Sequence, residues 1–159
     1  MLRFTTHESS SGSHFFITTL QDNVCMLNIE KLDSEEMFFE HEYLQDSVYE
    51  LVIAKVTGND ENCSIHLAPT IKSIFDDFLQ EKDEAVVYIS VTENSAKYRL
   101  IKHYLTEDTN PHFKVLLFKA DGIAFFFFFN EERTSTIDVI VGLTTYFKRE
   151  YDISFINEL

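Results

Sequence analysis

Five consecutive phenylalanines, residues 125–129, constrain the fold of this chain more than any other feature. In an extended strand successive side chains point to opposite faces, so Phe125, Phe127 and Phe129 belong to one face of a sheet and Phe126 and Phe128 to the other. Both faces then need a cover: helices for one, and for the other the N-terminal strands or the 30–46 segment folded across it, or failing those a second subunit. The run follows Ala120-Asp121-Gly122, and Asp-Gly is among the strongest short hairpin signals, with residues 113–119 as the preceding strand.

The other elements follow from their periods. Residues 2–6 and 14–20 are rich in aromatic and β-branched types and flank a Ser/Gly stretch, residues 9–13, which predicts a hairpin. Residues 24–29 and 48–56 read as two more strands, and 85–91 is a nearly all-apolar run that fits a strand covered on both faces. Ile71, Ile74, Phe75, Phe78 and Leu79 fall at helical spacing after Pro69, which predicts a helix over 69–82 with the proline in its first turn. Asn94 or Ser95 caps a second helix ending near Leu105. Ser135 with Asp138 resembles a capping box, and Ile137, Ile140, Val141, Thr144 and Phe147 predict the inner face of a third helix.

The order is strands, helix, strand, helix, hairpin, helix. It predicts an α+β fold, a single mostly antiparallel sheet with about three helices on one face, as one domain over 1–159. At 159 residues one core removes roughly two thirds of the unfolded chain's surface from water, so no disulfide or structural metal is required.

Charge narrows the partners. Against 13 basic side chains stand 27 acidic ones, a net charge of −14, which disfavours phosphate backbones and anionic lipid. No apolar run approaches the roughly 20 residues of a membrane-spanning helix, and no export signal is recognisable at the N-terminus, so the expected location is cytoplasmic. The six histidines show no metal-ligand spacing, the four glycines are isolated, and Cys25 reads as a small core residue; no metal and no cofactor are expected.

Residues 30–46 hold seven carboxylates and one lysine, a local charge of −6. Set among them are Met37, Phe38, Phe39, Tyr43 and Leu44, apolar bulk that a solvated loop has no use for. Such a segment packs on its own domain or on a partner. Glu35, Glu36, Met37, Phe38, Phe39, Glu40, Glu42 and Tyr43 are accordingly the candidate partner-binding residues. Arg99 and His103 share a helical face at i, i+4 and, with Asp46 and Glu50, form the alternative, a small hydrolase or nuclease assembled from scattered residues. The bland reading of that pair is a basic exposed stripe among Glu93, Glu107 and Asp108. A third reading is an acidic inhibitor that mimics nucleic-acid charge. Twenty-three Phe and Tyr side chains also exceed what three helices bury, which favours a protein partner or a second copy at an apolar sheet surface.

Several strings together, Phe4-Thr5-Thr6, Thr70-Ile71 with the later Phe78, Val87-Tyr88-Ile89, Arg99-Leu100 and the closing hairpin and helix, resemble a family of short uncharacterised bacterial proteins, a domain of unknown function. Ile89-Ser90-Val91 departs from that family's Ile-Cys-Asp-like strand end. The resemblance implies a similar α+β fold over most of the chain and no defined reaction.

Overall fold

The computed structural model describes residues 3–9, 12–18, 24–32, 37–38, 40–55, 63–105, 110–151 and 155–158. Among these residues eight strands form one sheet. They are β1 (Arg3–Ser9), β2 (Gly12–Thr18), β3 (Val24–Lys31), β4 (Val48–Lys55), β5 (Val86–Thr92), β6 (Phe113–Ala120), β7 (Ile123–Asn130) and β8 (Phe155–Glu158), in the order β1-β2-β3-β4-β5-β7-β6-β8. Every neighbouring pair is antiparallel except β4 with β5. The fold is therefore α+β with a mostly antiparallel sheet, as the sequence predicts. Four helices accompany it among the described residues: α1 (Glu42–Gln45), α2 (Cys63–Glu81), α3 (Ala96–Tyr104) and α4 (Thr136–Glu150).

The phenylalanine run lies in β7 and alternates as expected. Phe126 and Phe128 join Ile71, Phe75 and Phe78 of α2 and Tyr98 and Ile101 of α3. Phe127 and Phe129 join Val139, Leu143 and Phe147 of α4 together with Phe38 and Leu44. Helices on one face alone are thus a wrong expectation: α2 and α3 cover one side and α4 the other. The cause is β7 itself, which presents full-size aromatic rings both ways. Phe127 packs within 6 Å, centroid to centroid, of Tyr88, Phe118 and Phe147.

Local chemistry sets the ends. Asp121 and Gly122 both take positive φ, 53° and 76°, which matches the twist of the β6–β7 hairpin and leaves the glycine free of strain. Ser95 Oγ accepts the Tyr98 N–H at 3.1 Å and Ser135 Oγ the Asp138 N–H at 3.4 Å, capping α3 and α4. Pro69 does not open α2 but sits inside it. Its missing N–H costs one backbone bond, and the burial of Ala68, Thr70 and Ile71 around it offsets that loss. Cys25 is buried on β3, as expected of a core residue, and is held in a disulfide. The expected turn over 57–62 lies outside the described residues.

α4 also corrects the sequence reading. Val139, Gly142, Leu143 and Phe147 face the core, whereas Ile137 and Val141, expected there, are exposed. Gly142 fixes this rotation. A Cβ at that position would stand 2.5 Å from Cδ1 of Phe38, so only glycine lets the helix come this close to the ring.

Candidate functional site

The acidic segment meets α4 on the side of the sheet away from α2 and α3. Phe38 and Leu44 are fully buried there, so the segment packs on its own sheet and helix. Phe38, a candidate contact for a partner, is instead an internal anchor, because Gly142 opens a seat for its ring. Its carbonyl oxygen accepts the His41 N–H and the Gln45 side-chain amide, both at 3.0 Å, which turns the chain into α1. Ser47 Oγ donates to the Tyr43 carbonyl oxygen at 3.1 Å at the far end.

From α1 and the residue that precedes it, two polar side chains reach the first turn of α4. His41 Nε2 lies 3.3 Å from Asp138 Oδ1, and the Tyr43 hydroxyl donates to Asp138 Oδ2. Partial burial pushes the Tyr43 phenol up to about 12, and the Asp138 hydrogen bond and charge, with Glu84 nearby, act in the same direction. Asp138 therefore serves twice, as a first-turn acid on the α4 dipole and as the clasp for α1.

Around this clasp the surface is apolar and acidic. Ile137 is 73% exposed, Val141 43% and Tyr43 40%, three of the five large apolar side chains that stand exposed among the described residues. Ile137 and Val141 are one turn apart on α4. Glu40, Glu42 and Glu84 are exposed as well, Glu40 beside Val141 and Glu84 near Tyr43. A hollow of about 190 Å³ opens beside Val141, lined by Met37, Glu40, His41, Tyr146 and Arg149. Of the remaining candidates, Met37 is half-buried at this hollow, while Glu35, Glu36 and Phe39 lie outside the described residues.

The alternative constellation is not brought together. Arg99 and His103 are exposed on α3, where the Arg99 guanidinium donates to the Asn94 carbonyl oxygen at 2.8 Å and the His103 ring packs edge-on against Tyr104. Glu50 is in register with Tyr88, whose phenol is pushed up to about 12 by burial and then by the Glu50 charge; this pair lies on the α4 side of the sheet. α3 packs on the opposite side, and Asp46 is exposed beyond α1. No group of three or more His, Cys, Asp or Glu suited to a metal occurs among the described residues. None of the described helices is long and apolar enough to cross a membrane.

Sequence reasoning missed Ile137, Val141 and Glu84 as surface residues and saw Asp138 only as a cap. A glycine in mid-helix beside a segment of bulky aromatics was the available signal, since it marks a close approach. No known family model, curated protein or solved structure matches the chain, so the site is read from its own geometry.

Proposed function

We propose that this chain is a protein-binding module whose contact surface is the outer side of α4 with α1, and that it takes a basic segment of another protein carrying an apolar anchor. The observation that supports this reading is the exposure of Ile137 and Val141, one turn apart on the helix whose Asp138 holds Tyr43, with exposed Glu40 beside Val141 and exposed Glu84 near Tyr43. A helix that buries Val139, Leu143 and Phe147 on one side has no packing use for isoleucine on the other. Acidic groups attract and orient a cationic partner, and the apolar stripe slows its release. Glu40, Glu42 and Tyr43 keep the role that the sequence suggests for them, and Phe38 holds them in place.

Selection from a displayed random-peptide library tests the proposal. Enriched peptides are expected to combine Lys or Arg with a bulky apolar residue and to bind less tightly as salt rises. Burying one isoleucine side chain is worth roughly 1.5–3 kcal/mol, so Ile137→Ser with Val141→Ser should weaken binding at least about tenfold. Glu40→Gln with Glu42→Gln should flatten the salt dependence. Enrichment of peptides without that pattern, or equal binding to the Ser variant, would overturn the reading.

A further inference from the structure

β1 is the outer strand on one side of the sheet, and all seven of its residues are exposed. It runs in unbroken register with β2, from Arg3 opposite Thr18 to Ser9 opposite Gly12. Its other edge has no partner strand among the described residues. An edge strand is ordinarily protected by shortness, proline or a bulge, because its open row of N–H and C=O groups templates pairing with another chain. The strand at the opposite border, β8, spans only four residues. β1 has neither proline nor glycine, pairs without a bulge, and carries Phe4, Thr5 and Thr6, types that favour the extended state.

From this edge we infer that β1 pairs antiparallel with β1 of a second copy of this chain, about a two-fold axis at Thr6. Symmetry limits the choice. A two-fold normal to the sheet keeps each side chain on its own face, so residues that oppose one another must have the same parity and the axis must pass through a residue. An axis at Thr6 engages the whole strand: Arg3 faces Ser9, Phe4 faces Glu8, Thr5 faces His7 and Thr6 faces itself. An axis at Thr5 sets Arg3 against His7, one at His7 opposes the two imidazoles, and one at Glu8 opposes two carboxylates. Each of these also pairs fewer residues. The Thr6 register is thus the one with full overlap and no like charges opposed. It joins the same edge of two sheets, one from each copy, and not their apolar faces.

A net charge of −14 on each copy opposes this contact, so association should strengthen as salt screens it. Binding of a basic segment at α4 weakens with salt, which keeps the two ideas separable in experiment. The test is a single-cysteine scan, Phe4→Cys, Thr5→Cys, Thr6→Cys, His7→Cys and Glu8→Cys. Each variant is mildly oxidised at high protein and salt concentration and compared with unaltered protein on non-reducing electrophoresis. Only at position 6 do the two cysteines stand within disulfide range across the axis, so T6C should give at least about five times the covalent dimer of its neighbours. Light scattering of the unaltered protein should show the dimer fraction rising with concentration and with salt. A maximum at another position refutes the register. Covalent dimer no greater than in unaltered protein, together with a monomer mass at every concentration and salt, overturns the interface.

Discussion

Replacing Gly142 with alanine measures how firmly the acidic segment is locked to α4. In an exposed helix interior that change stabilises by about 1 kcal/mol, because alanine is the better helix former. Here the added methyl would lie 2.5 Å from Cδ1 and 2.8 Å from Cε1 of Phe38. The ring is fully buried among Leu44, Val139 and Leu143, so it has little room to retreat. Overpacking of this kind costs about 1–3 kcal/mol, and two contacts under 3 Å on a confined ring place it in the upper part of that range. The net expectation is a loss of about 1–2 kcal/mol, or roughly 2–8 °C in Tm for a chain of this size. Urea unfolding followed by circular dichroism reads it as a lower midpoint at unchanged slope. Combined with Phe38→Leu, which removes the outer ring atoms, the alanine should regain its helix advantage, so the two substitutions couple by at least about 1 kcal/mol. A higher midpoint for G142A in the otherwise unaltered protein would refute the reasoning, because α4 would then not press on Phe38.

Phe127→Asp should abolish folding, since an unpaired buried carboxylate adds to the loss of three ring contacts, whereas Ile137→Asp should leave the melting curve within about 0.5 kcal/mol of its original position. Soluble, cooperatively melting F127D protein would contradict the placement of β7. Ser95→Ala removes the α3 cap and should cost about 1 kcal/mol, read from the same urea curves. Tyr43 and Tyr88 both release their protons only near pH 12, above the ordinary 10; because the folded state holds these protons more tightly, the stability they lend is complete below pH 10 and is lost as pH rises through 12. Ultraviolet titration should show late-ionising tyrosines, one fewer in Tyr43→Phe, and ionisation of every tyrosine near pH 10 would contradict both environments. Thiol titration of unreduced native protein should find Cys25 unreactive until reductant is added.

The elements most legible in the sequence were those with local signals. Asp121-Gly122 demanded positive φ, Ser95 and Ser135 marked helix starts, and the continuous apolar run in β5 announced a strand covered on both sides, which Val87 and Val86 occupy on opposite cores. The rotation of α4 was not legible. Its apolar residues, Ile137, Val139, Ile140, Val141 and Leu143, spread over more than half of the helix circumference, so periodicity does not fix which part of that arc faces the core, and the choice falls to a tertiary contact between Gly142 and Phe38. The same contact decides the candidate site. Composition exposed the 30–46 segment as unusual, but which of its aromatics turns inward depends on a helix nearly a hundred residues later. α1, at four residues, is too short to carry a period at all.

The single parallel pairing has a further consequence for how the molecule opens. β4 and β5 are in register only from Val48 with Val86 to Glu50 with Tyr88, whereas every antiparallel pair inside the sheet is joined over seven residues or more. Beyond Glu50 and Tyr88 the strands part, leaving a gap of about 160 Å³ that Ile53, Ser90, Val91 and Leu100 border. The sheet is thus a meander, β1 to β4, and a second four-stranded half, β5-β7-β6-β8, sewn together by three stitches. Partial unfolding follows the line with the fewest bonds to break. In native-state hydrogen exchange the amides bridging β4 and β5 are the ones that such a hinge-like parting would release together, while the ladders on either side stay closed.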